Sequence, residues 1–340
     1  MTYIPKPFEK KIVINKAVYQ KLEDDMKSFN LYDNRNKNFF YSTLIINTYR
    51  YQDNFKKINA YKDILSGNNT SLKNNKLIKA LNKDKGKDYD KCLTDIAIEL
   101  ARINPIDISL KSDDTIAIHI RETNKTYGEL EQIINESANL SAADIFRFLI
   151  LDYLSYPLYI REQIIFYDLY LSIKSCMKNK IKCKLETNDT SDTYRIYDIK
   201  RGKEEYHSYV IAYRNGKTEP TSFKLSTIKK IIKLKEAFEF TVEEITEINK
   251  RLLSGPEWMN GNYTTCNILF DEKGLELYNK RYKDRPVGIF NDNVLTTTCS
   301  TTQLIFYIRS FGEHALVLDD NNVKKGLTTF YTNALNKYKG

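Results

Sequence analysis

The chain of 340 residues lacks the short motifs that mark common catalytic chemistry. It has no GxxxxGK[ST] phosphate loop, no GxGxxG, no HExxH and no GxSxG, so none of the corresponding nucleotide, zinc-protease or hydrolase chemistries has support. Its three histidines, His119, His207 and His314, lie far apart without a Cys or acid at metal-ligand spacing. The expectation is a non-enzyme without metal or cofactor, with His314 structural. The five cysteines, at 92, 176, 183, 266 and 299, form no CxxC pair and are odd in number, which fits buried free thiols in a reducing compartment. The opening MTYIPKPFEKK has no apolar core of the secretory type. The most apolar stretch, 145–173, is broken by Arg147, Asp152, Arg161, Glu162 and Asp168, too often for a bilayer span of roughly 20 apolar residues. A cytoplasmic protein with no membrane partner is expected.

What the sequence does have is localised charge. The net charge is +9, and residues 174–235 hold 16 Lys or Arg against 7 Asp or Glu, so the remainder sums to zero. A clustered excess of this kind is an electrostatic footprint for nucleic acid or another anionic surface, set against the alternative of a merely solvated basic face.

Periodicity divides the chain further. Residues 10–15 alternate as a strand, Val18, Leu22 and Met26 recur at helical spacing, and 39–51 is apolar enough for a second helix. The Asn-rich piece at 66–75 reads as a loop, and 91–103 as a helix ending before Asn104-Pro105. Residues 115–121 alternate strictly, 126–137 reads as a helix, and Ser141 with Asp144 three residues on marks the start of another that ends near Tyr156-Pro157. Strand, helix, helix thus occurs twice. A helix over 159–180 leads into strands at 181–186, 194–200, 206–214, 222–226 and 228–233, with Asn215-Gly216 as a hairpin turn. Five short strands of this spacing suggest a small barrel. An acidic helix over 236–253 and the Gly- and Pro-containing SGPEWMNGN precede a final run read as strand 263–270, helix 273–282, strands 287–290 and 294–298, helix 300–311, strand 315–318 and helix 321–338.

The two N-terminal units resemble the ribbon-helix-helix family, the second, IAIHIRETNKTYGELEQIINESANLSAADIFRFLILDYL, more closely than the first. In that family two strands pair into a ribbon whose outward side chains enter the DNA major groove. The resemblance implies outward Lys11, Val13 and Asn15 on one strand and Ala117, His119 and Arg121 on the other. Of these, Lys11, Asn15, His119 and Arg121 are possible DNA-facing residues, whereas Val13 and Ala117 offer at most contact with a thymine methyl.

The segment SYVIAYRNGKTEPTSFKLSTIKKI resembles the WYL domain. Its eponymous triplet is here Ser208, Tyr209 and Val210, keeping only the central Tyr, and Ser222 to Ile228 follows the family's basic-aromatic strand. QLIFYIRSFGEHALVLDDNNVKKGL is similar to the extension that follows many such domains. The resemblance implies an α+β multidomain chain. It would comprise ribbon-helix-helix-like units at 1–55 and 109–157, a polar linker at 56–108, a helix plus an Sm-like, SH3-type barrel at 158–253, and an α+β extension at 254–340 that is a dimerisation candidate. The combination looks most like the WYL accessory proteins of type VI-D, RNA-targeting CRISPR systems. It implies single-stranded RNA, or DNA, as ligand, an RNA-guided effector nuclease as partner, and a homodimer.

The residues are compatible with such a role, since single strands need cations for phosphates and flat rings for bases. Lys184, Arg195, Lys200, Arg201, Arg214 and Lys224 supply charge, Tyr194, Tyr197, Tyr209, Tyr213 and Phe223 supply rings, and His207 is a further contact. The expectation is that rings and cations converge on one water-facing groove. Two rivals stay open: a repressor that reads DNA through the ribbon and senses a ligand in the barrel, and a docking subunit with no direct nucleic-acid role.

Overall fold

A computed structural model describes residues 8–31, 37–51, 114–122, 126–136, 141–203, 206–280 and 285–339. Among these are ten α-helices and three antiparallel sheets, a mixed α+β architecture. The chain divides into two compact units, Met1–Tyr156 and Pro157–Gly340. The loop expected at 66–75, the helix expected at 91–103 and Cys92 lie outside the described residues.

In the first unit, β1 (Glu9–Asn15) pairs antiparallel with β2 (Thr115–Arg121), from Glu9 opposite Arg121 to Asn15 opposite Thr115. Period-two alternation sends Ile12, Ile14, Ile118 and Ile120 inward, where all four are buried. Helix α1 (Lys16–Ser28) begins at Asn15, whose Oδ1 accepts the Ala17 N–H at 2.7 Å and so satisfies an end group of the helix. Leu22 and Met26 are buried one turn apart, with Phe40, Leu44 and Ile45 of α2 (Lys37–Tyr51) also in the core. Helix α3 (Glu129–Glu136) starts later than its apolar pattern suggests, because Gly128 sits at φ 80°, outside helical space. Helix α4 (Ala142–Ser155) is capped by Ser141, whose Oγ accepts the Asp144 N–H at 3.2 Å. The buried Glu122 carboxylate accepts the Phe8 and Leu130 N–H groups, tying the ribbon's end to α3.

The second unit opens with α5 (Leu158–Ile165) and α6 (Tyr167–Lys178). These are two helices where one was expected, because Phe166 (φ −101°, ψ 36°) breaks the spiral. Five strands follow: β3 (Ile181–Glu186), β4 (Ser191–Arg201), β5 (Ser208–Arg214), β6 (Pro220–Lys224) and β7 (Lys230–Ala237). Their order is β6-β5-β4-β3-β7, so the fifth strand returns beside the first. Residues 225 and 226, expected as strand, belong instead to a single 3-10 turn, Leu225–Thr227, joining β6 to β7. Ile173 and Cys176 of α6 join Cys183, Leu185, Tyr194, Ile196, Val210 and Ala212 in one core. Ile248 of α7 (Val242–Leu252) joins Tyr209, Ile211, Tyr213 and Met259 in a second. Both faces of β5 are therefore covered, and Ser208 to Tyr213 are all buried. The acidic helix starts six residues later than expected, because β7 runs to Ala237 and the Thr241–Glu244 capping box fixes the helix start.

The remaining elements are β8 (Tyr263–Phe270), α8 (Glu272–Lys280), β9 (Gly288–Asn291), β10 (Val294–Ser300), α9 (Thr301–Ile308), β11 (Ala315–Val317) and α10 (Asn321–Lys339). The strand order is β11-β8-β10-β9. Trp258, Ile268, Phe270, Leu295, Leu304, Tyr307, Phe311 and Val323 fill its core. Cys176, Cys183, Cys266 and Cys299 are free and buried. No helix among the described residues is long and apolar enough to cross a membrane.

Candidate nucleic-acid interface

The predicted groove forms only in part. A cavity of about 880 Å³ lies within the second unit, between the five-stranded sheet and the C-terminal elements. One wall carries Tyr209, Phe223 and Lys224 of the sheet with Tyr206 from the bend before β5, so two of the nine predicted barrel contacts, Tyr209 and Lys224, come together here. Tyr209 is buried except for a 7% rim. The backbone at Gly202 crosses its ring so closely that a Cβ there would meet Cε2 at 3.0 Å. Lys224 makes no ion pair among the described residues.

The other predicted contacts do not line this cavity. Tyr213 and Tyr194 are buried at 0% and 2% exposure, so neither ring has a face open to a base. Burial pushes the Tyr213 hydroxyl up to about 12, and it donates to the Glu244 carbonyl at 3.2 Å. Arg195 forks onto the Glu244 carboxylate and stacks over Tyr213 and Phe240, each centroid 5.4 Å away. The guanidinium holds the Glu244 carboxyl below its usual range, while partial burial acts in the opposite direction. Arg214 pairs with Asp192 at 2.9 Å and Lys200 with Asp198 at 2.6 Å. Tyr197 packs edge-on against Phe240. Lys184 sits on β3, two strands from β5, opposite Ile232 of β7. Arg201 is exposed at the end of β4 and does not line the cavity. For Arg195, Lys200 and Arg214 the cause is the same: each cation is answered by a carboxylate supplied from β4 or from α7.

His207 lies 3.5 Å from the fully buried Glu162 carboxylate, its ring edge-on to Tyr209. That carboxylate accepts the Ser208 N–H at 2.6 Å and the Ser226 N–H at 2.9 Å, fastening α5 to β5 and to the 3-10 turn. The same contacts account for Ser208 in place of a large ring. Its hydroxyl donates to the Tyr159 carbonyl and accepts from Gln163, so α5 occupies the space beside it.

The opposite wall comes from residues that the sequence reading passed over. Glu257, Trp258 and Asn260 belong to SGPEWMNGN, read only as a boundary. Gly255 at φ 100°, a conformation that suits glycine, starts the turn presenting them. Asn260 is fully engaged, accepting from Ser222 N and Thr221 Oγ1 and donating to the Ser222 carbonyl. Gln303, Phe306, Tyr307 and Ser310 follow from α9 and the turn after it, and Lys280 from α8. Phe306 is 54% exposed and braced by Arg309, whose guanidinium lies 4.0 Å from its centroid and 4.9 Å from that of Phe330. The only Trp of the chain inside a Gly- and Pro-containing turn was the signal available in the sequence.

The cavity offers rings, amides, two lysines and one carboxylate, a set that can stack, hydrogen-bond and neutralise a phosphate. Lys280 is already paired with Glu276, which leaves Lys224 as the principal cation. Among the described residues no group of three His, Cys, Asp or Glu could hold a metal ion.

The ribbon of the first unit presents a second basic surface. Lys11, His119 and Arg121 are exposed on the face opposite the buried isoleucines. Asn15 is half-buried and occupied by its cap to Ala17, and His119 lies 3.3 Å from the Glu9 carboxylate. Val13 faces Ala117 at the centre of this surface.

No protein-family model and no curated protein matches the chain. Among solved structures, the chain is similar to a CRISPR Cas-related protein at 16% identity, with a TM-score of 0.61 over 100% of this chain and 95% of that one. At that identity the likeness shows a shared fold. The proteasome accessory factor B/C of Arthrobacter aurescens matches at 11% identity and a TM-score of 0.25, over 66% of this chain and 37% of that one, too low to carry weight.

Proposed function

We propose that the chain is a non-enzymatic, CRISPR-associated accessory protein that binds single-stranded RNA in the cleft of its second unit and modulates an RNA-guided nuclease. The observation that carries this reading is the convergence of Tyr206, Phe223, Phe306 and Lys224 on one cavity. Rings beside a cation that has no carboxylate partner among the described residues suit a base and its phosphate, whereas stacked or paired bases of a duplex keep their faces to themselves. The fold shared end to end with a CRISPR Cas-related protein supports the association. The cavity lining has no histidine or cysteine and one carboxylate, which favours binding over acid–base or nucleophilic chemistry. In this reading the five-stranded sheet is the Sm-like barrel of a WYL domain. A second copy would dock on the C-terminal module, whose sheet leaves Ile289 and Leu316 exposed.

One observation favours a second reading. The β1–β2 pair forms and its outer face carries exposed Lys11, His119 and Arg121, which suits a ribbon-helix-helix contact with duplex DNA. Against it, the centre of that face is Val13 and Ala117, and Glu9 brings an anion to it.

The test is a titration of labelled single-stranded RNA, single-stranded DNA and duplex DNA at two salt concentrations, with wild type and Lys224→Glu. The first reading expects tightest binding to single strands, weakened by salt and by the substitution. Tightest binding to duplex, unaffected by Lys224→Glu, supports the second. Addition of the protein to an RNA-guided nuclease, with target cleavage measured, tests the modulatory role.

A further inference from the structure

Of the 16 Lys and Arg at 174–235, only Lys224 lines the cavity. The charge that stands out in the sequence therefore lies elsewhere. Lys174 and Lys178 on α6, with Lys229, Lys230, Lys233 and Lys235 on and just before β7, are all exposed. None of these six makes an ion pair among the described residues. The two elements adjoin. Ile173 and Cys176 of α6 and Ile231 of β7 pack on the same core. Lys233 stands opposite Cys183, and alternation places it on the side of β7 that carries Ile231. At the strand's end the Phe238 N–H donates to the carbonyl of Lys180, two residues past α6, at 3.0 Å. Lys174 and Lys178, four residues apart, share one face of their helix. β7 is the edge of its sheet, pairing with β3 alone among the described strands.

Two carboxylates near this surface are committed to other cations: Glu236 pairs with Lys182 at 2.9 Å and Glu239 with Lys180 at 3.0 Å. Glu186 stands opposite Lys230. Single lysines have structural uses, since one on an open edge discourages pairing with a foreign strand and one in a last helical turn suits the helix dipole. Neither use calls for six like charges on adjoining elements, which repel one another until an anion meets them. The side chains also define the anion. All six are lysines, point charges without the planar fork that reads carboxylates or base edges. The Lys174 ammonium lies over the ring of Tyr170, 5.1 Å from its centroid, so that face is taken. Leu171, 44% exposed, is a single apolar residue, too little for an acyl interface. Single strands need open rings for their bases, whereas a double helix turns its bases inward and presents phosphates. We infer that α6 and β7 form a second nucleic-acid surface, separate from the cleft, that holds the phosphate backbone of a double-helical RNA stem without reading its sequence. The surface stands independently of the cleft, and only the choice of RNA over DNA rests on the single-strand RNA reading. The ligand of the whole protein is then an RNA with both a stem and a single-stranded part.

The experiment titrates a labelled RNA hairpin, an unpaired RNA of the same length, a DNA duplex and phosphatidylserine-containing vesicles over a range of salt concentrations. The proteins are wild type, Lys224→Glu and a variant combining Lys174→Glu, Lys178→Glu, Lys233→Glu and Lys235→Glu. A milder set with Gln at the same four positions guards against misfolding, and circular dichroism checks every variant. The expected result is hairpin affinity at least about ten-fold lower in the four-site variant, with a flatter salt dependence as phosphate contacts are lost. Affinity for the unpaired RNA stays within about two-fold in that variant, because distant sites act additively. Lys224→Glu gives the converse pattern. Hairpin binding and salt dependence that match wild type in both four-site sets overturn the proposal and leave a solvated edge. DNA duplex bound as tightly as the hairpin overturns the choice of RNA. Vesicles bound in preference to the hairpin, and released by the four substitutions, overturn it in favour of a lipid surface. Hairpin binding that depends on the four lysines, with no binding of unpaired RNA, supports this surface while the cleft reading fails.

Discussion

Arg195 on β4 and Glu244 on α7 form a two-pronged ion pair, Nη1–Oε2 at 3.0 Å and Nη2–Oε1 at 2.5 Å, with both side chains more than four-fifths buried. The same carboxylate accepts the Thr241 N–H in the capping box. One residue thus starts α7 and clamps it over the ring of Tyr213. A guanidinium committed in this way is not available to a phosphate.

Replacing Arg195 with Ala should therefore lower stability by about 2 kcal/mol, the scale of charge-assisted hydrogen bonds in a partly buried setting. RNA affinity of the folded fraction should stay within about two-fold, well under the ten-fold that 1.4 kcal/mol represents. Urea unfolding paired with RNA titration checks both halves. Intact stability with lost RNA binding would return Arg195 to the interface.

Acid should remove this clamp. The Glu244 carboxyl titrates lower in the folded chain than in the unfolded one, where a glutamate titrates near about 4.3. A carboxyl lowered by folding contributes stability that is fully present above the unfolded value and is lost as pH falls through the folded value. The stability gap between wild type and Glu244→Gln should accordingly be largest at neutral pH and shrink as the pH is taken below the unfolded value. A gap that does not change with pH would mean that the carboxylate's charge contributes nothing.

Much of the fold was legible because it is written locally. Ile116, Ile118 and Ile120 alternate and form β2, and Asn215-Gly216 turns between β5 and β6 with Gly216 at φ 76°. Ser141 caps α4 as its spacing with Asp144 suggests. The site was less legible because its parts are defined by distant partners. Arg195 meets a carboxylate 49 residues away, and an alternating run of tyrosines does not reveal that helices cover both faces of its strand. Trp258 and Gln303 are 45 positions apart, and both line the cavity only once the C-terminal module has folded.

That module depends on a close backbone approach. A Cβ on Gly274 of α8 would lie 2.1 Å from the His314 carbonyl oxygen, a clash with backbone that cannot rotate away. Gly274→Ala should destabilise the module by at least about 2 kcal/mol, within the range of overpacking. The unfolding midpoint followed by Trp258 emission measures it, and a midpoint equal to wild type would show that α8 can shift freely.

The ribbon supplies a separate discriminating test. Lys11→Glu with Arg121→Glu reverses two exposed charges without touching the buried isoleucines. The single-strand account expects unchanged RNA affinity, whereas duplex reading through the ribbon expects DNA binding to collapse, with loss of the corresponding phosphate contacts and a flatter salt dependence.

Photo-cross-linking of bound single-stranded RNA, followed by mass spectrometry of the linked peptides, bears most directly on where the strand lies. The account predicts adducts on the peptides holding Tyr206, Phe223 and Phe306. Adducts confined to the peptides of β1 and β2, or scattered over unrelated surfaces, would contradict it.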